Sequence, residues 1–212
     1  MRRVLWLCLL FGLAAPGYAQ FTGNAPVGSL QNLSLLKPPA GSRVAVYVFE
    51  DLGCPACARA HPIEVAVISK YHVAYERKDF PIPAHVWTFD GAVDARYIQV
   101  HLSPQLAEEF RSDVFRSQET IAGRDGMEQY FRQWLARHGR QAPFVVDPDG
   151  SLARAVRADY DLGMRIHLER TPTIVVVTEH KQQVVGGASD TSNPEVLVSV
   201  VEAALRETRG KR

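Results

Sequence analysis

The chain has 212 residues, of which 46% are hydrophobic and 22% charged, and its formal net charge is +1. This length and apolar content suit one globular unit or a domain with an insert. The near-neutral charge excludes the strongly basic signature of proteins that bind nucleic acids or anionic membranes.

The N-terminus has the features of a secretory signal peptide. Arg2 and Arg3 form a basic start, residues 4–15 are apolar, and residues 17–19 form a small-x-small cleavage site. The apolar part is too short to span a bilayer, which argues against a membrane anchor. We therefore expect residues 1–19 to be removed and the protein to be periplasmic or otherwise extracytoplasmic, with a formal charge of −1.

Cleavage at this point would leave two cysteines, Cys54 and Cys57, because Cys8 lies in the signal peptide. Two closely spaced cysteines cannot staple a fold, so the mature chain is not a disulfide scaffold. The pair is therefore expected to serve chemistry.

The first mature segments predict a leader followed by strands. Residues 20–32 are rich in Gly, Ser, Asn and Pro, which is typical of a flexible leader. Residues 33–37 predict a short strand, and a turn follows at residues 38–41. Residues 42–49 are almost continuously apolar, as expected for a central strand that is covered on both faces of a sheet.

The stretch from Glu50 to Pro62 contains the sequence Cys-Pro-Ala-Cys. Pro55 fits the first position of a helix, so Cys54 should lie at the helix N-terminus. There, unpaired backbone N–H groups and the positive end of the helix dipole favour a thiolate. Cys54 is therefore expected to be the attacking sulfur. Cys57, one turn later and further inside, should be the resolving thiol.

The middle of the chain predicts a βαβ unit followed by helices. The helix should reach about Lys70, and residues 71–78 alternate as in a strand parallel to the central one. After a proline-rich exit at residues 79–85, helical patterns dominate residues 86–168, while residues 144–146 fit either a strand or a buried helix. The expected core residues of this region are Leu106, Phe110 and Val114 after the Ser103-Pro104 cap, Met127, Tyr130, Phe131, Trp134 and Leu135 before Gly139, and Leu152, Ala155 and Val156.

The C-terminal part predicts a hairpin and a last helix. Thr171-Pro172 precedes a strand over residues 173–178, and a turn at residues 179–181 joins it to a strand at residues 183–185. Gly186-Gly187 should end that strand. Asn193-Pro194 should open the last helix, with Leu197, Val201, Ala204 and Leu205 facing inward.

A strand followed by CPxC and a helix, with Thr171-Pro172-Thr173 before a later strand, resembles the thioredoxin superfamily and, more narrowly, the DsbA-like thiol-disulfide oxidoreductases. In that superfamily, a Thr or Val before a cis-proline opens the strand that faces the CxxC. The resemblance covers about Leu33 to the C-terminus. It implies an α/β thioredoxin fold, formed by residues 33–85 and 169–212, that an all-α insert over residues 86–168 interrupts.

The resemblance also implies a reaction, thiol–disulfide exchange through a mixed disulfide. The Cys54–Cys57 disulfide would oxidise unfolded or cysteine-containing exported proteins, and a membrane redox partner would recycle it. Thr171 and Pro172 would present backbone groups to an extended substrate peptide. The resemblance implies no metal and no cofactor beyond this disulfide. The near-neutral charge predicts no nucleic-acid partner, and we expect a monomer.

Two positions depart from the pattern of the family. Well-known DsbA proteins have His between the cysteines, whereas Pro55-Ala56 offers no such charge, so the pKa of Cys54 should exceed the value of about 3.5 known for DsbA. Many relatives place a carboxylate six residues before the first cysteine, where this chain has Val48. Glu50 is a candidate substitute, with a surface acid at the strand end as the alternative.

His61 lies one turn after Cys57 and could tune the thiols, or it could be an ordinary packed or surface histidine. Two further functions stay open. A reductase or isomerase of the same fold would differ from an oxidase in its reduction potential. A metal-binding or copper-delivery protein would use Cys54, Cys57 and His61, but it would need a further ligand. A redox-inert binding module is disfavoured by the presence of both cysteines.

Overall fold

The computed structural model describes residues 30–185 and 193–209. The predicted signal peptide, most of the predicted leader and the Gly186-Gly187 strand end lie outside these residues. Within the described ranges, no helix combines the length and the apolar character needed to cross a bilayer.

Within residues 30–185 and 193–209, four strands and six helices form the fold. In chain order they are β1 (Val44–Glu50), α1 (Pro55–Tyr71), β2 (Ala74–Asp79), α2 (Thr88–His101), α3 (Pro104–Ser117), α4 (Gly123–Arg137), α5 (Ser151–Arg165), β3 (Thr173–Thr178), β4 (Gln182–Val185) and α6 (Pro194–Arg209), with short 3₁₀ helices at Leu33–Leu35 and Gln118–Thr120.

The strands form one mixed sheet in the order β2-β1-β3-β4. The two strands of the βαβ unit, β1 and β2, are parallel, whereas β1 with β3 and β3 with β4 are antiparallel. All seven residues of β1 are buried, because this strand is internal and both of its faces are covered. The predicted βαβ unit and the C-terminal hairpin are therefore confirmed.

Side chains that alternate along β1 pack into two different cores. Val44, Val46 and Val48 pack on one face of the sheet with α6 and the Val67 side chain of α1. Tyr47 and Phe49 pack on the other face, against the end of α5 and the residues that follow it. The β1 end that leads into Cys-Pro-Ala-Cys is thereby fixed from both sides.

The helices α2–α5 are inserted between β2 and β3, and α2–α4 have a core of their own. Phe110 is at the centre of this core, with edge-to-face ring contacts to Phe131 and Trp134. The same core includes Leu52, Cys54 and Cys57. The insert is therefore packed directly against the cysteine motif.

Two sequence predictions about local structure are wrong. Residues 33–37 form no strand, because Leu35 and Leu36 donate their N–H groups to carbonyls within the segment, in a 3₁₀ turn, and Leu36 is buried against the sheet. Residues 144–146 are neither a strand nor a buried helix. They form bends between α4 and α5, and Phe144 is 97% exposed.

The last residues of the predicted leader contact the fold. The Gln31 N–H donates to the Ile166 carbonyl, and the Asn32 amide donates to the Arg165 carbonyl. Leu30 is partly buried beside the same core. Residues 30–32 thus pack beside the end of α5.

Candidate active site

Cys54 lies where the sequence places it, at the N-cap of α1, with Pro55 as the first helical residue. The Ala58 N–H donates to the Cys54 carbonyl, which closes the first helical turn. Gly53 has no space for a side chain, since a β-carbon there would lie 2.6 Å from a Thr88 methyl and 3.1 Å from the His85 β-carbon. This close packing fixes the turn that presents Cys54.

The two cysteines are free thiols with different exposure, 8% for Cys54 and 1% for Cys57. The pKa of Cys54 is lowered to about 5, chiefly because the Cys57 thiol donates a hydrogen bond to it; burial opposes this effect, and the N–H groups of Ala56 and Cys57 support it. Burial raises the pKa of Cys57 well above its usual range, and the nearby charge of Cys54 adds to this. Cys54 is therefore the thiolate of the pair at neutral pH.

Thr171 and Pro172 lie beside Cys54, joined by the expected cis peptide bond. The sulfur of Cys54 is 3.3 Å from the Thr171 carbonyl oxygen, to which the thiol donates. The buried hydroxyl of Thr171 has no hydrogen-bond partner in the structure. Ionisation of Cys54 gives that hydroxyl an acceptor, which helps to lower the pKa of Cys54.

The Thr171 hydroxyl can be tested by substitution. Thr171→Val, which keeps the shape but removes the hydroxyl, should raise the pKa of Cys54 by about 1, since a hydrogen bond to a charged group is worth about 1.5–3 kcal/mol. Thr171→Ser keeps the hydroxyl and should leave the pKa near the wild-type value. The rate of iodoacetamide alkylation of the reduced protein against pH measures both. Equal pKa values in the two variants would assign the effect to the backbone alone.

Two side chains outside the motif hold the loop that carries it. The carboxylate of Asp51 accepts from the N–H groups of Gly53 and Ile82 and from the ring of His85. From the insert, the Gln118 amide donates to the carbonyls of Leu52 and Cys54, at 2.6 and 3.0 Å. Neither Asp51 nor Gln118 is predicted from the sequence to have a role at the site. The only sequence signal was the position of Asp51, three residues before the first cysteine.

Glu50 ends β1 and is buried, so the interpretation as a surface acid is wrong. Arg77 of β2 and Arg111 of α3 both donate to its carboxylate. Such pairing allows a carboxylate to stay charged away from water. Burial and the charge of Cys54 raise the pKa of Cys57 most, and the charge of Glu50 raises it further. This carboxylate therefore acts on the buried thiol.

His61 and Glu64 follow Cys57 at positions i+4 and i+7 and are buried on the same face of α1. His61 is a packed histidine, as one of the two interpretations of the sequence predicts. Its Nε2 lies 2.8 Å from the Ser112 hydroxyl. Burial lowers its pKa to about 4 and raises that of Glu64 to about 8, where the charge of Glu50 contributes as well. Both side chains are therefore neutral near pH 7.

The metal-binding alternative requires His61 and both thiols to bind the same ion. Among the described residues, His61 lies in a different cluster of possible ligands. His61 shares a cluster with Glu50 and Glu64, whose ligand atoms lie within 4.8 Å of one another, and no cysteine belongs to it. The guanidinium groups of Arg77 and Arg111 on Glu50 oppose a cation there.

The buried neutral carboxyl of Glu64 should make stability depend on pH. Its pKa is about 8 in the fold but near its ordinary 4.5 in the unfolded chain, so unfolding releases a proton between these values and stability falls as pH rises. Glu64→Gln removes this loss. It should unfold like the wild type below about pH 4 and be more stable by a few kcal/mol at pH 8, since one unit of pKa is about 1.4 kcal/mol.

Urea unfolding at pH 4, 6 and 8 measures this difference. The exposed Glu169 offers the matched control, because Glu169→Gln should run parallel to the wild type throughout. A Glu64→Gln curve parallel to the wild type at all three pH values would show that Glu64 is already ionised in the fold.

Comparison with known proteins agrees with this geometry. A family model described as Thioredoxin matches residues 40–192. No curated protein sequence matches the chain. Three similar solved structures are Wolbachia pipientis alpha-DsbA1 (TM-score 0.62, 13% identity, 82% of this chain and 98% of that chain covered), Pseudomonas aeruginosa DsbA2 (0.57, 14%, 78% and 91%) and the oxidoreductase NmDsbA1 from Neisseria meningitidis (0.56, 15%, 81% and 88%).

At these identities the structural likeness establishes the fold, which is the predicted thioredoxin fold with a helical insert. The family match spans more than half of the sequence and includes both cysteines and the Thr171-Pro172 turn. The chain therefore belongs to the thioredoxin family.

Proposed function

We propose that this protein is an extracytoplasmic dithiol oxidase that forms disulfides in exported proteins through its Cys54-Pro55-Ala56-Cys57 site. Membership in the thioredoxin family supports the enzyme class, a protein thiol–disulfide oxidoreductase. The direction of the reaction, the substrates and the location of the protein are the proposed part.

The observation that carries the proposal is the difference between the two thiols. The pKa of Cys54 is lowered to about 5, while that of Cys57 is raised. A stabilised thiolate favours the reduced form of the pair, and this makes the corresponding disulfide a stronger oxidant. Cys54 is also the more exposed of the two sulfurs and stands beside the Thr171 carbonyl, where an extended substrate peptide would add its backbone.

The proposed reaction has two exchange steps. A substrate thiolate attacks the Cys54 sulfur of the disulfide, the Cys54–Cys57 bond breaks, and its electron pair leaves on Cys57, which takes up a proton because of its raised pKa. A second substrate thiolate then attacks the substrate sulfur of the mixed disulfide. Cys54 leaves as a thiolate, and the substrate keeps the new disulfide.

The reaction needs no metal or organic cofactor, but the dithiol must be reoxidised after each cycle. We assign this step to a membrane redox partner and propose that the enzyme works as a monomer. The predicted signal peptide, residues 1–19, supports an extracytoplasmic location, such as the periplasm, where unfolded exported proteins present cysteines.

Equilibration with glutathione buffers of defined ratio tests the direction of the reaction. The fraction of oxidised Cys54–Cys57 pair, read after acid quenching and alkylation, gives the reduction potential. An oxidase with a Cys54 pKa of about 5 should fall between about −120 mV, the value of DsbA, and about −270 mV, that of thioredoxin. A value at or below that of thioredoxin would favour the reductase alternative.

A further inference from the structure

His85 lies against the active-site loop, although it is 31 residues after Cys54 in the sequence. Its ring is packed on Gly53, the residue directly before Cys54, because a β-carbon on Gly53 would come within 3.2 Å of the His85 ring. Its Nδ1 is 3.0 Å from the Asp51 carboxylate. Neither exchange step of the proposed reaction uses this histidine.

The backbone of His85 is fixed on both sides. Its N–H donates to the Ile82 carbonyl, and its own carbonyl accepts from the N–H and the hydroxyl of Thr88 at the start of α2. The side chain of its partner Asp51 is fully buried, whereas 33% of the His85 side chain is exposed. The histidine is therefore held rigidly from inside while its outer part reaches solvent.

The contacts of Asp51 determine which ring nitrogen is available. Burial raises the pKa of Asp51, but N–H groups of Gly53 and Ile82 point at its two oxygens and oppose this rise. These two donors leave the carboxylate as the acceptor for a third, the ring of His85. A carboxylate only accepts, so neutral His85 must donate from Nδ1. Its Nε2 is then the basic nitrogen, and within the part of the chain that the structure describes it makes no hydrogen bond.

We propose that the Asp51–His85 pair is a general base for the incoming substrate thiol, with Nε2 of His85 as the atom that accepts the proton. The inference rests on the proposed function, since it concerns the first exchange step of the same site. It supplies a basic group that the Ala56 of the motif cannot offer.

The proton and the electrons balance within that step. Nε2 takes the proton from the substrate S–H, and the resulting thiolate forms a bond to the Cys54 sulfur as the Cys54–Cys57 bond breaks. Asp51 stabilises the imidazolium that forms, through the hydrogen bond to Nδ1. The imidazolium returns its proton to solvent when the reduced enzyme is released.

The pH dependence of this role follows from the groups that face His85. Among the described residues, the carboxylate of Asp51, in the loop after β1, bonds the His85 ring, and the uncharged Thr88 of α2 bonds the His85 carbonyl. A base is useful only while the substrate thiol, with a pKa of about 8.5, is still protonated. Its benefit should therefore be large near pH 7 and small near pH 9.5, where the thiol ionises without help.

The test follows reduction of the oxidised full-length protein by a synthetic peptide with one cysteine, from pH 5 to pH 9.5, in single-turnover mixing. His85→Gln can still donate to Asp51 but cannot take a proton. It should be roughly tenfold slower than the wild type near pH 7, where only a few per cent of a free thiol is ionised, and nearly equal to it at pH 9.5. Imidazole added to His85→Ala should restore part of the rate near pH 7. His101→Gln, at an exposed histidine at the end of α2, should match the wild type.

The inference is overturned by a His85→Gln rate that is lowered by the same factor at every pH, or by the absence of rescue by imidazole. If the wild type exchanges with the peptide and His85→Gln has the same profile, the inference alone fails. If the wild type itself does not exchange, the proposed function fails with it.

Discussion

Cys57→Ser should accumulate mixed disulfides with exported proteins in cells, whereas Cys54→Ser should accumulate almost none. Cys54 has the lowered pKa and is the more exposed cysteine, so its thiolate attacks a disulfide of an exported protein. That disulfide breaks, one of its sulfurs bonds to Cys54, and the other leaves as a thiolate. Cys57 is 1% exposed and is protonated at neutral pH, so it can act only on a neighbouring sulfur. Without it, the mixed disulfide lacks an internal thiol that could release it when a substrate offers no second cysteine.

Non-reducing electrophoresis after acid quenching measures the trapped complexes, and mass spectrometry of the complexes identifies the substrates. Both variants should lose essentially all dithiol turnover, so trapping and not activity separates the two roles. The double variant is the control for disulfides formed nonspecifically. Equal trapping by the two single variants would contradict the assignment of Cys54 as the attacking thiol.

Arg111→Met should lower the free energy of unfolding by about 3–5 kcal/mol, the cost of removing one partner from a buried ion pair. Arg111 belongs to the insert, is 2% exposed and contacts two buried carboxylates of the sheet, Asp79 at 2.7 Å and Glu50 at 3.4 Å. Methionine fills similar volume but leaves these charges with fewer partners. Urea unfolding at pH 7 measures the loss.

The pH dependence of the same variant tests the cause. Burial alone would raise the pKa of Asp79, but the guanidinium groups of Arg111 and Arg96 outweigh it and lower the pKa to about 2. The stability that Asp79 gains from these arginines is complete above the pKa of Asp in the unfolded chain, about 3.9, and is lost as pH falls toward 2. The deficit of Arg111→Met should therefore shrink below about pH 4.

An exposed arginine of the same helix supplies the control. Arg116 pairs with Asp113 on the surface of α3, and Arg116→Met should change stability by less than about 1 kcal/mol. A deficit of Arg111→Met that is equally small, or that is constant down to pH 2, would show that the buried ion pairs do not hold the insert to the sheet.

The sequence alone determined the fold class and the position of the reactive thiol. Period-two and period-3.6 patterns locate β1, α1 and the hairpin, since each depends on residues close together in the chain. The position of Cys54 at a helix start follows in the same way from Pro55 directly after it. The predictions for residues 33–37 and 144–146 were wrong because they too used only residues close together in the chain. A short apolar run becomes a strand only if a sheet edge is free to pair with it, and sequence pattern does not show this.

The tertiary structure decided the surroundings of that thiol. Glu50 is buried because Arg77 and Arg111 reach it from other elements, and its position at a strand end gave no sign of this. Gln118 and His85 reach the cysteine loop from 64 and 34 residues away. Contacts between segments so distant in sequence depend on how the insert packs on the sheet. Local patterns predicted which sulfur reacts and place Cys57 and the first N–H groups of α1 beside it, whereas the contacts of Thr171 and Gln118 with Cys54 follow from long-range packing.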